Sequence, residues 1–337
     1  MSSPSAQSEL WGSALDWERV IREGFSDEQL EQLAGNRGSG RSKVIPRLPK
    51  LFPLAEMYGA GPAIRKLTGL PGVVPVPFFS DHGVHHLDDW LEIERNNAAK
   101  CHVTWSRWRA GLHLPGKEVV QIMHPLVALR RTTGVYRRRD AHRTLVFLDH
   151  SDPDHDNDPY DYEAYLESFS ALPAEFRPGG ICIHMHDIHK GLHKLLRGCQ
   201  IPLFTVGDSA NDLFGPRFYD LVTRFRYASS TRVGTHSYLS EEAGVRFFLF
   251  GTPIGFYSPL IEGRKEFEAH RIREASQIFS KFPPARTAEK DAWLNSAMGL
   301  DIGIAKTVRT LRLLLIKHAP GAVVISFFKI FRYIVSR

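Results

Sequence analysis

The 337-residue sequence holds only three cysteines, Cys101, Cys182 and Cys199, and no C-x-x-C pair. That scarcity argues against a disulfide scaffold or a cysteine zinc knuckle and fits a reducing cytoplasm. No apolar run reaches the ~18 residues of a membrane span. The first residues show neither a basic stretch nor an apolar one, so the expectation is a cytoplasmic chain without a secretory signal. Three signatures are also missing: G-x-x-x-x-G-K-[ST], G-x-G-x-x-G after a strand, and G-x-S-x-G. Their absence excludes a P-loop enzyme, a common dinucleotide oxidoreductase and a serine nucleophile elbow.

What is present is an ordinary globular composition, 43% apolar and 24% charged, long enough for two domains with their own cores. The net charge of +6 suits nucleic acid, an anionic membrane surface or a phosphorylated substrate.

Apolar spacing predicts helix over 14–35, with a second start at Ser26. A strand from Val73 ends in the Asp81-His82-Gly83 turn, and strand-like runs follow at 100–105 and 119–124. A basic connector over 131–142 marks the domain boundary. Strands at 144–148, 181–185, 203–206, 227–229 and 247–250 then alternate with helices of ~10 residues, the signature of a doubly wound parallel sheet. Ligands of such sheets sit at the carboxyl ends of the strands. The polar turns Asp149-His150, His184 to His189, Gly207-Asp208 and Ser229 to Thr235 all fall there. The predicted layout is an α/β domain over 1–135, a second α/β domain over 143–300, which the resemblance given below makes the acceptor and nucleotide-donor sides, and a basic amphipathic tail over 301–337 broken at Pro320-Gly321.

Sixteen histidines call for a metal test. His184 and His186 alternate on a predicted strand, and His189 and His193 are spaced i, i+4, which zinc can use. The run lacks both H-E-x-x-H and the H-x-H-x-D-H order, so a phosphate-facing or packing role is the preferred reading and no metal is assigned. Asp152, Asp154, Asp156 and Asp158 with Glu163 mimic a calcium loop. Asn157 replaces its glycine and Pro159 follows, so an acidic helix-capping loop is the better reading.

Two stretches carry the chemistry. His82 has a base suited to neutral pH, with Asp81 or Asp88 to orient it, and is the candidate general base. Ser229, Ser230, Thr231, Gly234, Thr235, His236 and Ser237 offer hydroxyl and backbone donors at a helix start, a candidate diphosphate cradle that needs no metal. Glu241 or Glu242 lies on the next turn, where it would accept ribose hydroxyls. His184, His186, Gly207 and Asp208 are further donor-side candidates. A hydrogen-bonded turn histidine and a capped strand-to-helix turn are the plain structural alternatives.

Asp81-His82-Gly83, the strand end at Ile183 to His186, and the run from Ser229 through Glu242-Ala243 to Phe250-Gly-Thr-Pro253 resemble motifs of a known family. They are similar to bacterial GT-B glycosyltransferases of capsule and lipopolysaccharide synthesis and to the related glycerophosphotransferases. The resemblance spans residues 70–255. It implies two Rossmann-like domains, a transferase with a nucleotide-sugar donor and no cofactor, a glycan or lipid-linked acceptor, and no nucleic acid. The open alternatives are a metal-dependent hydrolase built on His184, His186 and His189, and a non-catalytic scaffold of a polysaccharide assembly complex. The tail over 307–337, basic and without an acid, reads either as an interfacial membrane helix or as a core-packing helix.

Overall fold

A computed structural model of the chain describes residues 10–12, 14–35, 51–72, 74–151, 161–252 and 270–335. The acidic run that mimics a calcium loop, apart from Glu163, lies outside the described residues. The chain divides into two compact units: Met1–Arg37 with Val135–Lys290, and Gly38–Gly134 with Asp291–Arg337. Both are α/β with parallel sheets.

The second of these units has three strands, β1 (Phe79–Ser80), β2 (Cys101–Thr104) and β3 (Glu118–Gln121), parallel and in that order. Every residue of β2 is buried, as expected for a parallel strand covered on both faces. Strand β1 is shorter than the predicted run from Val73, because Pro75 and Pro77 have no N–H to give the ladder. Leu51, Phe52, Ala55, Phe79 and Ala99 make one core cluster of this unit. A helix that the sequence reading did not predict, Pro125–Thr133, runs into the first residues of the predicted connector. Its signals are plain in retrospect: Pro125 opens it, His124 Nδ1 accepts the Leu126 N–H at 3.3 Å, and Gly134 closes it at φ 68°.

The tail corrects a second expectation. A helix runs unbroken over Ile304–Val335, through Pro320. Its first turns belong to the core: Thr307 accepts the Met123 N–H at 3.1 Å, and Leu311 and Leu314 are buried.

The larger sheet holds β4 (His142–Phe147), β5 (Pro178–Cys182), β6 (Leu203–Phe204), β7 (Phe225–Ser230) and β8 (Arg246–Leu249). All are parallel, in the order β6-β5-β4-β7-β8. From β4 the chain winds outward to β5 and β6, then returns to the other side of β4 as β7 and β8. That reversal is the doubly wound, Rossmann-like order, and it leaves a switch point between the carboxyl ends of β4 and β7.

The described residues between 10 and 35 fold with this larger sheet, not with the segment up to 134 that the sequence reading grouped them with. Gly24 at φ 78° ends the helix Trp17–Glu23 and lets the chain touch β6, where a Cβ would stand 2.5 Å from the Leu203 nitrogen. The next residue, Phe25, donates its N–H to the Leu203 carbonyl at 2.8 Å and sets its ring on Phe204. Ser26 and Gln29 then form a reciprocal cap at 3.2 and 3.0 Å that starts the helix Asp27–Gly35.

Candidate functional site

Strand β5 ends at Cys182, before the histidines. His184 therefore does not share a strand face with His186. It caps the helix Met185–His189, its Nδ1 accepting the His186 N–H at 3.3 Å. Gly191, at φ 85°, separates that helix from Leu192–Leu196, so His189 and His193 do not share one helix either. His193 is buried and faces Glu31 at 3.3 Å. Among the described residues the ligand atoms of His184, His186 and His189 form no metal-sized group.

They meet other partners instead. His150, just past β4, stacks on His184 with ring centroids 4.2 Å apart, and His186 lies 4.7 Å from His184. Burial, and then the rings of His150, His186 and His189, hold His184 well below the ordinary imidazole range. Beside them Ser151 donates its N–H and its hydroxyl to one oxygen of Asp187, at 3.1 and 2.6 Å, which ties the end of β4 to the helix after β5.

Across the switch point, Thr231 donates its hydroxyl to Asp149 at 2.5 Å, and Arg232 Nε stands 3.3 Å from the same carboxylate. Ser230 donates to the Arg232 carbonyl and stands 3.0 Å from His236 Nε2. With its proton directed at that carbonyl, the Ser230 oxygen accepts, so Nε2 carries the hydrogen of a neutral His236. Burial first, then His150, lower the pKa of His236. His150 is thus the neighbour that His184 and His236 share.

The expected cradle is rearranged by these bonds. Ser229 is fully buried on β7. Ser237, also buried, accepts the Gly234 N–H at 3.0 Å and closes the start of the helix Thr235–Glu242. The hydroxyls of Ser230 and Thr231 point to protein partners, so they cap and tie rather than grip a phosphate. Glu241 is a structural acid: it accepts the Phe247 N–H at 2.7 Å and pairs with Arg246 and Lys290. Glu242 is buried and Thr235 half-buried on that helix. Gly207, at φ 88°, faces the Leu33 carbonyl, Asp208 gives that carbonyl its N–H at 3.2 Å, and Asp208 caps Ala210 at 2.7 Å. This pair follows edge strand β6 and holds the helix Asp27–Gly35, away from the switch point.

The other half of the prediction sits in the three-stranded unit. His82 is half-buried, with its ring 4.6 Å from that of His85. Its turn is pinned by two indoles, Trp105 donating to the Gly83 carbonyl and Trp108 to the His85 carbonyl, each at 2.9 Å. Asp81 has a different role from the one expected. It is fully buried, with one oxygen 2.9 Å from His102 and 2.7 Å from Arg109, and the other accepting from Thr104 at 2.6 Å. Burial alone would raise its pKa, but Arg109 and His102 outweigh it and hold the carboxyl well below its usual range. Arg109 also binds Glu94, so the acid-rich cluster of Asp81, Glu94 and His102 is filled by a guanidinium. Asp81 stabilises the core beneath the His82 turn through these bonds.

The sequence reading placed Asp149-His150 among the strand-end turns and quoted the runs that hold Asp187 and Arg232 without giving these residues a role of their own, and it passed over Ser151. Their signal was position: Asp149-His150 directly follows an apolar strand, and Arg232 sits inside the quoted hydroxyl run. The chain matches no protein-family model, no curated protein and no solved structure.

Proposed function

We propose that the chain is a metal-independent glycosyltransferase of the two-domain GT-B type, moving a sugar from a nucleotide-activated donor to a cell-surface glycan or lipid-linked acceptor. One observation carries the reading. The β4/β7 switch point of a β6-β5-β4-β7-β8 sheet gathers Arg232 with the imidazoles of His150, His184, His186 and His236. Doubly wound sheets take anionic ligands there. A guanidinium offers a planar fork to diphosphate oxygens, and the Nε2–H of a neutral His184, whose Nδ1 accepts the His186 N–H, adds a donor without a metal.

In this reaction the acceptor oxygen bonds to the anomeric carbon while the bond from that carbon to the diphosphate oxygen breaks. The acceptor proton passes to His82, and the charge growing on the departing diphosphate is met by Arg232 and its imidazole neighbours. A positioned base contributes ~10²–10⁴-fold, and preorganised donors at a developing oxyanion contribute on a similar scale. The donor is a co-substrate, and no further cofactor has a role.

A glycerophosphotransferase would present the same nucleoside diphosphate, linked to glycerol phosphate. Titration of the full-length protein with UDP, GDP, CMP and CDP tests both readings. Diphosphates should bind in preference to the monophosphate, and a preference for CDP would move the assignment to glycerol phosphate transfer. Binding of none of the four removes the transferase reading and leaves the scaffold alternative.

A further inference from the structure

Three elements of the three-stranded unit converge on one small cluster. Cys101 opens β2 and Glu118 opens β3, and the two residues are direct partners in the parallel register. Partnered residues of adjacent strands project to the same side of the sheet. The third member, His318, comes from the C-terminal helix. Along that helix Thr307, Leu311, Leu314 and His318 recur at i, i+4, i+7 and i+11, one continuous stripe. Thr307 and Leu311 are fully buried and Leu314 nearly so. Where a third apolar residue would continue the packing of Leu311 and Leu314, the stripe presents an imidazole.

That imidazole is a poor choice for packing alone. The His318 side chain is only 12% exposed, and its Nε2 has no hydrogen-bond partner among the described residues. It stands 3.5 Å from Glu118 Oε2, an oxygen that the exposed Lys317 already occupies at 2.8 Å. Cys101 is fully buried. One sulfur, one carboxylate oxygen and one imidazole nitrogen from these residues lie within 4.8 Å of one another. Three such atoms always have a common point within about 2.8 Å of each, and ligand bonds of about 2.0–2.3 Å need only a small inward shift.

We propose that Cys101, Glu118 and His318 form a divalent transition-metal site, best suited to zinc, which staples the C-terminal helix to the starts of β2 and β3. A thiolate, an imidazole and a carboxylate form the mixed sulfur, nitrogen and oxygen set of a borderline-soft ion, and calcium or magnesium would want oxygens throughout. Three protein ligands leave a fourth tetrahedral position for water. On binding, the metal replaces the thiol proton, which leaves to solvent, and no electron is transferred. The site lies in the three-stranded unit and is separate from the proposed donor site, so it is independent of the transferase reading.

The test uses full-length protein stripped of metal and titrated first with Zn²⁺ and then with Co²⁺. We expect one equivalent of either ion to bind and to raise the melting temperature, because an ion that binds only the native state stabilises it by mass action. The cobalt form should show a thiolate-to-metal charge-transfer band. Cys101→Ser should abolish that band, whereas Cys199→Ser should keep it. His318→Gln, which keeps a polar side chain of similar size at that position, should weaken zinc binding by more than the roughly 10–100-fold that loss of an outer-shell partner costs. If Cys101→Ser fails to fold, the His318→Gln titration decides. The proposal is overturned by absence of stoichiometric binding, by a charge-transfer band that survives Cys101→Ser, or by unchanged zinc affinity in His318→Gln.

Discussion

Thr231 gives its hydroxyl to Asp149 at 2.5 Å, which ties the end of β7 to the end of β4 across the switch point. Both side chains lie beside the proposed donor site, yet the bond between them is internal to the protein. Thr231→Val should therefore lower stability by about 1.5–3 kcal/mol, the usual worth of a hydrogen bond to a charged group. Nucleotide affinity should change little. Chemical denaturation and calorimetry separate the two effects, and a large loss of affinity with unchanged stability would return Thr231 to the phosphate-binding set.

Stability should fall on acidification. His184 and His236 are both held below the ordinary imidazole value of 6.5 in the folded chain. Between the folded and unfolded values the unfolded state binds protons that the native state does not, so stability rises with pH in that window. The stabilisation is full above about pH 6.5 and is lost progressively below it. His236→Gln should flatten the fall in denaturation midpoint between about pH 7 and about pH 5. An equally steep fall in the variant would remove His236 as a source.

Asp81 and His82 are chain neighbours with opposite expected behaviour. Asp81→Asn leaves the Arg109 guanidinium short of a buried partner, and breaking such a pair costs about 3–5 kcal/mol. His82→Ala should leave stability nearly intact while lowering turnover by ~10²–10⁴-fold. A stable Asp81→Asn variant with a turnover defect would make Asp81 part of the chemistry after all.

Much of this was legible in the chain. Apolar runs parted by polar helices gave the doubly wound sheet, because burial on both faces demands such runs. The switch point was not legible, since strand order depends on which strands pair, and no local pattern encodes that β7 returns beside β4. His184 was placed on a strand because Ile183 and Met185 continue the apolar run, yet the histidine caps a helix and ends the ladder. The hydroxyls of Ser230, Thr231 and Ser237 were visible, but their partners, Arg232, Asp149 and Gly234, are matters of tertiary and turn geometry. Asp81 beside His82 read as the group that orients the base, and its pairing with Arg109, which follows a separate strand, had no local signal.

The C-terminal helix packs one face on the core and leaves another exposed. Leu311 and Leu314 are buried, whereas Leu313 and Ile316 are exposed beside the exposed basic residues Lys306, Arg309 and Arg312. No helix among the described residues is long and apolar enough to cross a membrane. The proposed lipid-linked acceptor predicts sedimentation with anionic vesicles, each basic residue near the surface adding about 1 kcal/mol. High salt should release the protein only in part. Leu313→Ser combined with Ile316→Ser should lower vesicle binding without unfolding the chain, and unchanged sedimentation would exclude this face.

The central claim is that the switch point of the five-stranded sheet binds a nucleoside diphosphate through Arg232 and the histidines around it. Calorimetric titration of wild type, Arg232→Gln and His150→Ala with UDP, GDP and CDP in chelator tests it most directly. The account predicts one site per chain for at least one diphosphate, unaffected by chelator. It also predicts affinity at least tenfold weaker in Arg232→Gln, the loss of about 1.4 kcal/mol or more expected for a charged hydrogen bond, and weaker binding in His150→Ala. Binding that needs added metal, or equal affinity in all three proteins, would contradict it.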